Sequence, residues 1–219
     1  MFIGHFGVAF AAKPLVPRVS LGSLILASLF VDLLWPTFLL LGLERVRIEP
    51  GATAVTPLVF EHYPLSHSLL AVLVWAALIG GVFLLFRRDR VGALVLAALV
   101  VSHWLLDLIV HRPDLPLYPS GTQLLGLDAW SSLPLTLAIE VPLFLIGVGI
   151  YLRATAPKDA IGSWGLGGLV VFLAILYLGN LFGSPPPDVA AIAWAGQAQW
   201  LLVAWGYWVD RHRRRLPRL

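Results

Sequence analysis

Six long apolar stretches, at about 19–43, 63–86, 91–111, 133–153, 163–183 and 188–209, constrain this chain more than any other feature. A helix rises about 1.5 Å per residue, so each stretch is long enough to cross roughly 30 Å of hydrocarbon. The expected fold is therefore all-α, a polytopic transmembrane helical bundle of about six spans. Residues 2–12 are also apolar but too few to cross, which predicts a short N-terminal re-entrant or interfacial helix. The 219 residues are 59% hydrophobic and 12% charged, and no shift in composition marks a soluble domain. One integral membrane domain over 1–219 is expected, with the motif-bearing half in 1–120 and three further spans and a basic tail in 121–219. The opening "MFIGHFGVAFAAK" has neither the basic flank nor the cleavage site of a secretory signal and is expected to be retained.

Basic residues set the expected orientation. Strict alternation across six spans puts Lys13, Arg18, Arg87, Arg88, Arg90, Arg153, Lys158, Arg211, Arg213, Arg214, Arg215 and Arg218 on one side. Of the 15 basic residues, that leaves only Arg45, Arg47 and Arg112 on the other. Positive charge marks the cytoplasmic side, so the carboxyl terminus is expected inside and the longer loops, 44–62 and 112–132, outside. The tail "RHRRRLPRL" reads as a topology anchor, and no nucleic-acid partner is expected. Trp130, Trp164, Trp205 and Trp208, near span ends, read as interfacial anchors.

Against this background the intramembrane polar residues stand out, because each costs about 2.5 to 3.5 kcal/mol on insertion scales. Asp32 lies in the first long stretch, His67 at the start of the second, and His103, Asp107 and His111 near the end of the third. Helical rise puts His67 and Asp107 roughly 6 Å below the outer surface, with Asp32 and His103 about 12 to 16 Å below it. His5 reaches the same level if its segment is re-entrant. The spacing of His103, Asp107 and His111 places them on one helix stripe, but His103 and His111 are about 12 Å apart, too far to share one ion. His103 with Asp107 is the expected ligand pair of that helix.

The chain has no cysteine, so any metal must take His, Asp or Glu. Carboxylates at this depth without a neighbouring Lys or Arg call for a cation. Nitrogen and oxygen ligands favour zinc, and a zinc ion with an open position brings the pKa of bound water to about 7, giving a hydroxide able to attack an ester or phosphoester. The candidate metal ligands are His5, Asp32, His67, His103 and Asp107, and the candidate catalytic groups are Glu61, His62 and His111. Asp114 and Glu140 are further ionisable groups near the same layer. Ser66, Ser68 and Ser102 read as backbone caps rather than nucleophiles, and no GxSxG, HExxH or phosphate-loop pattern is present.

Four segments, "GHFGVAFA", "LASLFVDLLW", "HYPLSHSLL" and "SHWLLDLIVHRPDLPLYP", together resemble the YdjM-like family of bacterial inner-membrane metal-dependent hydrolases. The resemblance covers about the first 120 residues. It implies His5, Asp32, His62, His67, His103 and Asp107 as the functional set. Two departures stand out: Leu34 occupies the place of a usual second aspartate, and "HYPLSHS" lacks the family's Arg-Gly pair. The missing carboxylate argues against a two-metal site. The expected function is a metal-dependent hydrolase of the inner membrane acting on a lipid or lipid-linked substrate, its site toward the outer leaflet. The alternatives are a proton or divalent-ion transporter using the same residues, or an assembly protein with a structural metal.

Overall fold

The computed structural model describes residues 1–216; Arg218, counted above with the cytoplasmic charges, lies outside them. Helix α1 (Ile3–Ala12) is ten residues long, about 15 Å, half a bilayer. It does not lie on a surface. Ile3, His5, Phe6, Ala9 and Phe10 are all buried, which excludes the interfacial alternative.

The first long apolar stretch is not one straight span. It divides at Leu29 into α2 (Leu21–Ser28), capped by Ser20, and α3 (Phe30–Leu40), bent by 56°. A hairpin of β1 (Arg45–Ile48) and β2 (Leu58–His62) follows, then the single-turn α4 (Pro64–His67). Helices α5 (Leu69–Arg87) and α6 (Arg90–Val110) pack as an antiparallel pair, with Arg88 in the left-handed region and Asp89 capping α6 through the N–H of Gly92 at 3.0 Å. A short ribbon of β3 (Leu115–Pro116) and β4 (Leu124–Leu125) leads to α7 (Leu133–Ala154). Then come β5 (Thr155–Pro157), α8 (Ala160–Phe182), α9 (Val189–Gln197), α10 (Gln199–Arg211) and β6 (Arg213–Arg215).

Helices α5, α6, α7 and α8 are long and apolar enough to cross a membrane, and the bent α2–α3 pair makes a fifth span if counted as one. Six were expected. The last apolar stretch accounts for the shortfall, because it breaks at Ala198 into helices of 9 and 13 residues. Polar Gln197 and Gln199 flank that break, and the Gln197 amide donates to Thr37 Oγ1 at 2.8 Å. Gly196 sits so close to Pro36 that a Cβ would meet the ring at 2.3 Å. Helix α9 thus packs on α3 while α10 packs on α2, so two broken elements run side by side, half against half.

Helix α1 is held against α7 by backbone contact: a Cβ on Gly147 would meet the carbonyl oxygen of Gly7 at 2.1 Å. In "GSWGLGG", Gly165 and Gly168 make room for tryptophan rings of α10, Trp208 and Trp205, each 3.3 Å from where a Cβ would stand, and Trp205 Nε1 donates to the Gly165 carbonyl at 3.0 Å. The expected free basic tail is partly built into the fold, since Arg213–Arg215 pairs antiparallel with Thr155–Pro157. Lys13, counted above among the charges of the cytoplasmic side, is buried and ion-paired to Asp210 at 2.8 Å.

Candidate metal centre

The break at Leu29 does two things for the site. It puts Asp32 in the first turn of α3, and it leaves the Ser28 carbonyl without a helical partner, so that His103 Nδ1 donates to it at 2.8 Å. With its proton on Nδ1, a neutral His103 presents a lone pair at Nε2. That atom is buried and has no hydrogen bond among the described residues.

His67, on α4, is arranged in the same way by different means. The Ser66 hydroxyl has one proton and gives it to Glu44 Oε2 at 2.6 Å. It must therefore accept from His67 Nδ1, 2.7 Å away, which again leaves Nε2 as the lone pair. Glu44 is buried, and its other oxygen takes the N–H groups of Leu65 and Ser66, both at 2.8 Å, fixing α4 in place.

These two lone pairs face two carboxylates. Asp32 Oδ1 lies 3.5 Å from His67 Nε2 and 3.6 Å from His103 Nε2, while Asp107 Oδ2 lies 3.8 Å and 3.1 Å from the same atoms. The other oxygen of Asp107 is held by the Met1 ammonium at 2.5 Å and His5 Nε2 at 3.1 Å, which turns Oδ2 toward the imidazoles. His5 also stacks on His103, ring centres 3.8 Å apart. Two groups, Asp32 with His67 and His103, and His5 with His103 and Asp107, each offer ligand atoms within 4.8 Å of one another and could hold a metal ion. His5, His67, His103 and Asp107 are buried, whereas the Asp32 side chain is 23% exposed; Asp32, His67 and Asp107 line a cavity of about 390 Å³.

The structure thus brings together His5, Asp32, His67, His103 and Asp107. His111 stays outside the group, bonded through Nδ1 to Asp114 at 2.9 Å, but it lines the cavity and packs on Trp130 at 4.4 Å between centres. Trp130 is accordingly a cavity wall rather than only an interfacial anchor. Glu61 and His62 are not brought in. Both are exposed on β2, whose pairing with β1 sets Glu61 against Arg47 Nε at 2.9 Å and turns His62 to the surface. Ser68 caps α5 as expected, and Ser102 bonds the Leu99 carbonyl. Sequence reasoning missed Glu44, the relay role of Ser66, the Tyr63–Asp114 bond at 2.8 Å, and the place of Glu140, which lines the cavity and accepts the Phe2 N–H at 2.9 Å.

Fold and cluster together define a polytopic helical membrane protein with a buried His/Asp group able to take a metal ion. The match to known families is specific: the model of the YdjM inner membrane protein family covers residues 2–186, and the chain belongs to that family. No curated protein and no solved structure matches it.

Proposed function

We propose that this protein is a membrane-embedded, metal-dependent hydrolase with zinc held by Asp32, His67, His103 and Asp107. One observation carries the reading: two buried imidazoles, each with its proton fixed on Nδ1, aim Nε2 lone pairs at two carboxylates. With both rings neutral, lone pairs facing lone pairs at 3.1 to 3.8 Å repel unless a cation lies among them. Ligands about 2.1 Å from a tetrahedral ion stand roughly 3.4 Å from each other, and the all-N/O donor set suits zinc.

When bound, such an ion supplies a Lewis acid and acidifies water. The chain's own residues do the rest. Of the three ligands that line the cavity, Asp32, His67 and Asp107, Asp32 is the most exposed, and His5 steadies Asp107 through its second oxygen. His111, with Nδ1 committed to Asp114, keeps Nε2 to exchange a proton with a substrate in the cavity. Trp35, Phe60 and Trp130 form an apolar wall suited to the hydrocarbon part of a lipid or lipid-linked ester or phosphoester. Glu61 and His62 have no part in this reading.

An ion or proton pathway would need polar groups leading onward. Instead Phe6 and Phe10, both fully buried, fill α1 between His5 and Lys13, which favours a closed cavity over a conduit. Arg87, Arg90, Arg153 and Arg211 lie at the helix ends away from the cavity, supporting a cytoplasmic carboxyl terminus and a site toward the outer leaflet of the inner membrane.

The experiment is headgroup or acyl release from a panel of lipid esters and phosphoesters in proteoliposomes. Zinc-loaded wild type is expected to hydrolyse one class, and chelator-treated protein and His67→Ala none. Zinc-bearing protein inert toward every class sinks the hydrolase reading and leaves a structural metal.

A further inference from the structure

The end of the molecule away from the His/Asp cavity holds a second cavity of about 300 Å³, lined by Lys13, Lys158, Asp210, Arg213, Arg214 and Arg215 among others. Asp210 is its one carboxylate among the described lining residues, and both oxygens are taken, by Lys13 at 2.8 Å and by the Tyr151 hydroxyl at 3.0 Å. Lys13 and Asp210 cancel. Four cations remain.

None of the four is ion-paired to a carboxylate among the described residues; Asp210 acts on Arg213 from beyond ion-pair distance, and the Tyr151 ring centre lies 5.5 Å from the Arg213 guanidinium. Arg213 is 6% exposed and gives three of its five N–H groups to neutral oxygens: Thr155 Oγ1 at 3.0 Å, the Gly162 carbonyl at 2.7 Å and the Thr155 carbonyl at 3.1 Å. Lys158 donates to the Arg211 carbonyl at 2.7 Å. Such acceptors orient a cation without neutralising it. Arg214 and Arg215 are exposed, and their side chains make no hydrogen bond or ion pair among the described residues. The β5–β6 pairing sets Arg215 opposite Thr155 and Arg213 opposite Pro157, so the positions of these charges are fixed by backbone, unlike those of a solvated tail.

From this we infer an anion site for a phosphate group, with the buried Arg213 as its floor and Arg214, Arg215 and Lys158 as its rim. A guanidinium fork matches phosphate oxygens, and a buried cation that is ion-paired to no carboxylate of its own favours an anion beside it. Strand β5 joins two membrane-crossing helices, so the site lies at the level of lipid headgroups.

The test is the unfolding temperature of the full-length protein in neutral detergent. Phosphatidylglycerol raises it by about 5 °C; phosphatidylcholine, whose ammonium cancels its phosphate, leaves it within about 1 °C. Arg214→Gln/Arg215→Gln abolishes the rise, and Arg87→Gln/Arg90→Gln, outside the cavity, keeps it. An equal rise with millimolar inorganic phosphate, lost in the same variant, upholds the site and assigns it to a soluble phosphate compound. No rise with either probe, or equal loss in both double variants, overturns it.

Discussion

His103 Nδ1 donates to the carbonyl oxygen of Ser28 across 2.8 Å, tying the middle of the bundle to the break between α2 and α3. In an unbroken helix the Asp32 N–H would take the Ser28 carbonyl; across this break it does not, and the carbonyl is left to the imidazole. On the proposed reading His103 is both ligand and brace, whereas Asp32 is a ligand only. In chelator-treated protein, His103→Ala is expected to lose about 1–3 kcal/mol by stranding that carbonyl. Asp32→Asn, which removes an uncompensated charge, is expected to unfold no earlier than wild type. Both lose metal; denaturation with and without zinc separates the two roles.

The Ser66 hydroxyl connects Glu44 to His67, so Ser66→Ala frees the ring to turn and leaves one Glu44 oxygen without its donor. Outer-shell changes of this kind cost about 10- to 100-fold in metal affinity. Zinc titration against a competing chelator should give that loss, with Ser66→Thr recovering most of it.

Gly147→Ala drives a Cβ to 2.1 Å from the Gly7 carbonyl and must push α1 off α7. Overpacking of this kind costs about 1–3 kcal/mol. Because α1 carries His5, the variant should also bind zinc more weakly, which a thermal melt and a metal assay check together.

At the other end, Asp159 accepts from His212 at 2.8 Å and from the Gly162 N–H at 2.9 Å, bonds that hold its carboxyl below its ordinary pKa of 3.8. A depressed carboxylate pKa adds stability above the unfolded value and loses it as pH falls through the folded one. Amide protection of Arg213–Arg215, corrected for intrinsic exchange, should therefore hold from pH 7 to about 4 and decline below. Asp159→Asn should flatten that decline.

The crossing helices were legible because apolar runs bounded by Ser, Asp and Arg leave little else for residues 69–87, 90–110, 133–154 and 160–182 to be. The breaks were not. Leu29 sits in an apolar run without Gly or Pro beside it, and its bend serves a contact with a residue 75 positions away. The i,i+4 spacing disclosed His103 with Asp107, and depth alone aligned His67 and Asp32 with them. Glu44 escaped notice because its partner Ser66 is 22 residues on, and the Ser28 carbonyl because backbone has no sequence signature. His62 is singled out by its place in the outer layer and by the family resemblance; β-pairing ends between it and His67 and leaves its side chain exposed.

The most direct test of the account is the metal content of full-length protein, purified in detergent and dialysed without chelator, beside His67→Ala and Asp107→Ala. The account predicts about one zinc ion per chain in wild type and only traces in both variants. A well-folded wild type without metal would contradict it, and the charges of Asp32 and Asp107 would then have to be met by protonated histidine and the Met1 ammonium alone.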